Sequence, residues 1–124
     1  MTIREIAKIL DAEWVCGEEN ADQEIRYAFA SDMMSDVLAF VELETILLTG
    51  LINSQAVRTA EMLDIPCLVF VRGKKPQEEA VRRAKAIGLC ALMTKCSMFD
   101  ACGRLYAAGL NGIELAGGAD DDDD

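Results

Sequence analysis

The chain has 124 residues, enough for one hydrophobic core and too few for two ordinary domains. Its apolar share is 52%, yet the longest apolar runs, IPCLVFV and LCALM, fall far short of the ~20 residues a spanning helix needs, so no membrane role is expected. A net charge of −10 argues against a nucleic-acid binder, which needs a basic face; the absence of histidine removes the commonest general base near neutral pH.

Taken in chain order, Thr2 followed three residues later by Glu5 is a capping-box signature, and Ile3, Ile6, Ala7, Ile9 and Leu10 continue it at helical spacing. Two short strands are expected next, in AEWVCG and EIRYAFA, separated by the polar turn EENADQ; Ile25, Tyr27 and Phe29 alternate against Arg26 and Ala28. Ser31 or Asp32 then caps a second helix in MMSDVLAFV, with Met34, Val37, Leu38 and Val41 as its apolar face. From Thr45 the rhythm is regular. TILLTG, CLVFVRG and CALMT read as strands. The helices between and after them are NSQAVRTAEMLD capped by Asn53, PQEEAVRRAKAIG with Pro76 in its first turn, and SMFDACGRLYAAG capped by Ser97. Gly88 and Gly109 stand where helices should stop. Strands apolar nearly throughout suit parallel strands covered on both faces. The expected fold is therefore an α/β three-layer sandwich with a mainly parallel sheet of successive β-α units, preceded by an N-terminal helix and short strands.

Residues 1–112 are assigned to this one domain and residues 113–124 to a disordered acidic tail, since Asp120 to Asp124 form a single terminal run. Removing those five leaves 17 acidic residues against 12 basic ones, a balance of −5. Charges at Arg4, Glu5 and Lys8 interrupt the first apolar pattern, unlike a secretory signal, so a cytoplasmic location is expected. The five cysteines, at 16, 67, 90, 96 and 102, form no CxxC pair and are odd in number; they read as reduced, mostly buried thiols, with no metal site and no cofactor. Without histidine there is no Ser-His or Cys-His arrangement, and no catalytic residue is assigned.

In an open parallel sheet, ligands bind beyond the carboxyl ends of the strands. The loops expected there are SDMMSD, TGLINSQ, RGKKPQ and TKCSMF. Thr49 offers a hydroxyl, Gly50 allows close backbone approach, and Asn53 opens a helix whose free N–H groups suit an anion. Arg72, Gly73, Lys74 and Lys95 complete a basic rim for a phosphate or carboxylate. Against this stands a plain structural use: RGKKP is also a solvated turn, and neither corner matches the complete Walker or GxGxxG pattern. Asp32 and Asp36, four apart, are a metal or acid/base pair only if they are not simply a helix cap and a dipole-favoured acid. The methionines at 33, 34, 62, 93 and 98 are expected in the core or facing a partner, and Trp14 is expected to anchor the core.

The stretch ILLTGLINSQAVRTAEMLDIPCLVFVRG, with the opening TIREIAKILDAEWVCGEEN and the closing MFDACGRLYAAGL, resembles the DRTGG domain over most of residues 1 to 110. The opening is also similar to the N-terminal domain of the bacterial HPr kinase. Thr49, Gly50 and Gly73 match the family pattern, while Leu51-Ile52 stand where Asp-Arg is frequent and Val71-Arg72-Gly73 replace Thr-Gly-Gly. The resemblance implies a regulatory, non-enzymatic module, found beside CBS domains in regulated pyrophosphatases and alone in anaerobic bacteria, where relatives accompany iron-only hydrogenase and signalling components. A self-associating interaction module, a homo-oligomer with a protein partner in such a system, is the expected function. The alternative is a sensor that binds a phosphate-bearing small molecule or nucleotide at the carboxyl edge of the sheet. A phosphotransfer enzyme is disfavoured, since the chain has no P-loop.

Overall fold

The computed structural model describes residues 1–115, and the acidic run assigned to the tail lies outside them. Within them the chain forms α1 (Ile3–Ile9), β1 (Glu13–Cys16), a 3-10 turn (Glu18–Asn20), β2 (Tyr27–Ala30), α2 (Met34–Phe40), β3 (Thr45–Thr49), α3 (Ser54–Met62), β4 (Cys67–Phe70), α4 (Glu78–Ala86), β5 (Cys90–Met93), α5 (Met98–Ala107) and β6 (Asn111–Gly112). The six strands make one sheet in the order β1-β5-β4-β3-β2-β6, parallel throughout except for β1, which runs antiparallel to β5 at one edge. The expected three-layer α/β fold is the observed one.

Chain direction explains the layers. β2, β3, β4 and β5 are laid down side by side in one direction, so a consistent crossover hand puts α2, α3 and α4 on one face. α5 carries the chain from β5 back across the sheet to β6, and this reversal sends it to the other face, where α1 also packs. Two apolar clusters follow. Ile46, Leu48, Val69 and Leu92 meet Ile3, Ile6, Leu10, Ala101 and Leu105 on the α1/α5 face. Leu47, Leu68, Phe70 and Ala91 meet Met34, Val37, Val57, Ala60 and Ala84 on the other. Alternate residues of each strand therefore serve opposite layers. Every residue of β3 and β4 is buried, and each large apolar side chain removed from water contributes ~1.5–3 kcal/mol.

α1 begins with the expected capping box: the Glu5 N–H donates to Thr2 Oγ1 (3.2 Å) and the Thr2 N–H to Glu5 Oε1 (2.7 Å). Asn53 and Ser97 cap α3 and α5 through the N–H groups of Gln55 and Asp100. Three local expectations are corrected. Neither Ser31 nor Asp32 caps α2; its N-cap is Met33, without a side-chain bond, because Asp32 is drawn to the neighbouring corner described below. Leu38 does not join the α2 apolar face but stands 46% exposed, since only Met34 and Val37 turn inward over so short a helix. Pro76 precedes α4, which starts at Glu78 with Gln77 as its N-cap. The two-residue β6 has no counterpart in the sequence pattern, being too short to carry one.

Candidate functional site

β2, β3, β4 and β5 are parallel, so the loops that follow Ala30, Thr49, Phe70 and Met93 emerge at one edge of the sheet. All four loops named from the sequence lie there. At its centre is the Thr49-Gly50 corner. Asp32 reaches across from the β2–α2 loop, and its Oδ1 accepts from the Gly50 N–H at 2.6 Å and from the Thr49 hydroxyl at 3.2 Å. Thr49 Oγ1 in turn accepts from the Leu51 N–H at 3.1 Å. Arg72 closes the other side, Nη2 donating to the Gly50 carbonyl at 3.3 Å. A Cβ at Gly50 would lie 2.5 Å from Arg72 Nη2 and 3.1 Å from Asp32 Oδ2, so glycine is what lets both charged groups flank the corner. The anion that this corner holds in the structure is the chain's own carboxylate.

The β4–α4 and β5–α5 loops are stitched together. Arg72 and Gly73 both adopt positive φ (+69° and +67°), which turns successive N–H groups toward the adjacent loop: Arg72 N–H donates to Cys96 O (2.7 Å) and Gly73 N–H to Thr94 O (2.8 Å). Thr94, buried, donates its hydroxyl to Leu10 O (2.7 Å) and so ties the end of α1 to the end of β5. Here the helix after β4 lies on one face and the helix after β5 on the other, which is the arrangement that opens a crevice at a topological switch point. The two backbone bonds close it on the β4 side. A cleft of about 450 Å³ remains on the β1 side, lined by Asp11, Glu13, Thr94, Lys95, Asp100 and Arg104.

The residues singled out from sequence are therefore distributed as follows. Thr49, Gly50 and Arg72 are brought into one hydrogen-bonded corner, and Gly73 packs beside Lys95. Asn53 stands at the start of α3 with its side chain spent on the cap. Lys74 and Lys95 are exposed, and among the described residues neither is in an ion pair. Asp32 is the residue whose role the sequence does not reveal: its spacing suggests a pair with Asp36 or a helix cap, and only the tertiary fold sets it against Gly50. Asp36 stays in the first turn of α2, and among the described residues no cluster of Cys, Asp and Glu has metal-binding geometry. The cysteines are free thiols; burial pushes Cys67 well up, and Cys16 and Cys102 up, while the neighbouring Cys67 thiol holds Cys90 down. Trp14 packs against the α1/α5 core as expected, whereas Met33 and Met62 face water.

Fold and corner together define a small α/β module whose loop-bearing carboxyl edge is centred on the Thr49-Gly50 corner. No family model matches the chain, and no curated relative matches it. Among solved structures, it is similar to the CBS and DRTGG domains of the regulatory region of Clostridium perfringens pyrophosphatase, crystallised with the activator diadenosine tetraphosphate, with a TM-score of 0.66 at 17% identity. That match covers 84% of this chain and 45% of the other, so the chain spans less than half the length of the structure it resembles. At this identity the likeness is one of fold. Among the described residues no helix is long and apolar enough to cross a membrane.

Proposed function

We propose that this chain is a non-catalytic regulatory module of the DRTGG type that acts through protein contacts, self-association among them. One observation carries the reading: Phe99, 85% exposed, and Tyr106, 73% exposed, stand together on α5 at the rim of an apolar groove lined by Ala28, Ala30, Leu48 and Leu110. A contiguous exposed apolar patch of this kind is what an interaction surface requires. The likeness in fold to a regulatory region supports the same reading, and so does the central corner, whose donors are already satisfied internally. Sedimentation equilibrium of the full chain tests it. A concentration-dependent dimer is expected; a chain that remains monomeric at every concentration refutes self-association.

A second reading is favoured by the switch-point geometry. Lys95 and Arg104 border an open cleft beside the N-terminus of α5, and the similar structure was solved with a dinucleotide polyphosphate. In this reading the module senses a phosphate-bearing ligand. A thermal-shift titration with diadenosine tetraphosphate, ATP and inorganic phosphate, on wild type and Lys95→Ala, tests it: a saturable shift lost in the variant supports the sensor, and no shift with any of the three refutes it.

A further inference from the structure

We infer that the outward face of α5 is a two-fold contact with a second copy of this chain, centred on Gly103. The inference deepens the self-association proposed above and rests on it. α5 buries Ala101 and Leu105 and turns Phe99, Gly103 and Tyr106 outward. Residues three and four apart are neighbours on a helix surface, so Gly103 lies between the two most exposed aromatic side chains of the protein. A glycine inside an exposed helix costs ~1 kcal/mol relative to alanine. Among the described residues nothing explains it, because a Cβ at Gly103 would meet none of their atoms within 4 Å. Close approach of another backbone does explain it, as a missing side chain at the crossing point brings two helix axes toward the near end of the usual range of ~8–10 Å.

The pattern around Gly103 selects a second copy as the occupant. A dyad perpendicular to α5 at Gly103 runs the two helices antiparallel. Phe99 and Tyr106 lie on one side of Gly103, so Phe99 of each copy meets Tyr106 of the other. Asp100 and Arg104 lie on the opposite side, so the acid of each copy meets the base of the other. Among the described residues neither of these charges is in an ion pair within the chain, although their spacing of four permits one. The same patch thus complements itself in shape and charge, which is the requirement of an isologous interface. A helix of ten residues spans only ~15 Å and makes a small contact alone. Beside it, between α5 and β2, runs an apolar groove of about 400 Å³ lined by Ala28, Ala30, Leu48, Cys102 and Leu110, with Phe99 and Tyr106 on its rim. The aromatic rings of the second copy extend the contact into it.

Sedimentation equilibrium of the full chain and four variants tests the assignment. Gly103→Gln puts a side chain at the crossing while improving helix propensity. It is expected to weaken the dimer at least about tenfold while leaving the dilute monomer no less heat-stable, a pair of opposite effects that misfolding does not produce. Phe99→Ala is expected to weaken it similarly, as buried aromatic anchors carry most of the energy of such contacts. Arg104→Asp alone sets acid against acid and weakens association; Asp100→Arg combined with Arg104→Asp restores it, since the exchanged charges again face each other. If wild type associates and all four variants match it, the α5 assignment is overturned while self-association stands. If wild type is monomeric throughout, both fall.

Discussion

Replacing Asp32 tests whether the Thr49-Gly50 corner is held by an internal carboxylate. In Asp32→Ala the buried Gly50 N–H and the Thr49 hydroxyl, itself 0% exposed, lose their shared acceptor. A hydrogen bond to a charged group contributes ~1.5–3 kcal/mol; Asp32 is exposed and the Thr49 bond is long, so the low end applies and the pair is worth about 2–3 kcal/mol. For a domain of this length that corresponds to a fall in Tm of about 6–15 °C. Asp32→Asn keeps Oδ1 as a neutral acceptor and is expected to lose about 1 kcal/mol. Urea unfolding followed by circular dichroism, with Tm from calorimetry, gives both numbers. The emptied corner in Asp32→Ala also exposes the Gly50 N–H beside Arg72, so inorganic phosphate should raise the Tm of this variant more than that of wild type. An Asp32→Ala variant within about 0.5 kcal/mol of wild type would refute the corner as a stabilising contact.

Other perturbations probe the layers around it. Thr45 is fully buried at the start of β3 and its hydroxyl has no partner among the described residues, so Thr45→Val should stabilise by ~1 kcal/mol in urea unfolding; a loss of stability would mean that the hydroxyl is bonded in solution. Gly17 and Gly88 share a positive φ (+80° and +72°), but a Cβ at Gly17 would lie 2.5 Å from Cys90 Cα while one at Gly88 meets nothing within 4 Å among the described residues. Gly88→Ala should cost ~1 kcal/mol and Gly17→Ala ~3 kcal/mol or more, and equal costs would show that β1 does not pass so close to β5. Glu5 is held below its ordinary 4.5 by the Thr2 backbone N–H and hydroxyl. A lowered folded value means its contribution is complete above 4.5 and fades as pH falls through the folded value. The Tm advantage of wild type over Glu5→Gln should therefore shrink on acidification below 4.5, and a gap independent of pH refutes the capping box as its source.

The sequence by itself determined which segments are helix and which are strand from Thr45 to the end of α5, because those signals are local. Buried parallel strands such as Cys67–Phe70 read as continuous apolar runs, α3 and α5 carry their own caps at Asn53 and Ser97, and Gly88 ends α4 within its own turn. It also placed four loops on one edge, which follows from parallel strands alone. Only the tertiary structure decided what those loops do. That Asp32 spends its carboxylate on Gly50, leaving α2 without a side-chain cap, depends on β2 lying next to β3, and strand order is not written in any local pattern. The same holds for β1, which pairs antiparallel with β5 and not with β2, its neighbour in the chain. Whether an apolar residue is core or surface is likewise a property of the assembled layers: Phe99 and Tyr106 belong to an amphipathic helix whose inward strip is already filled by Ala101 and Leu105 packed on the sheet, so the larger rings are left facing water.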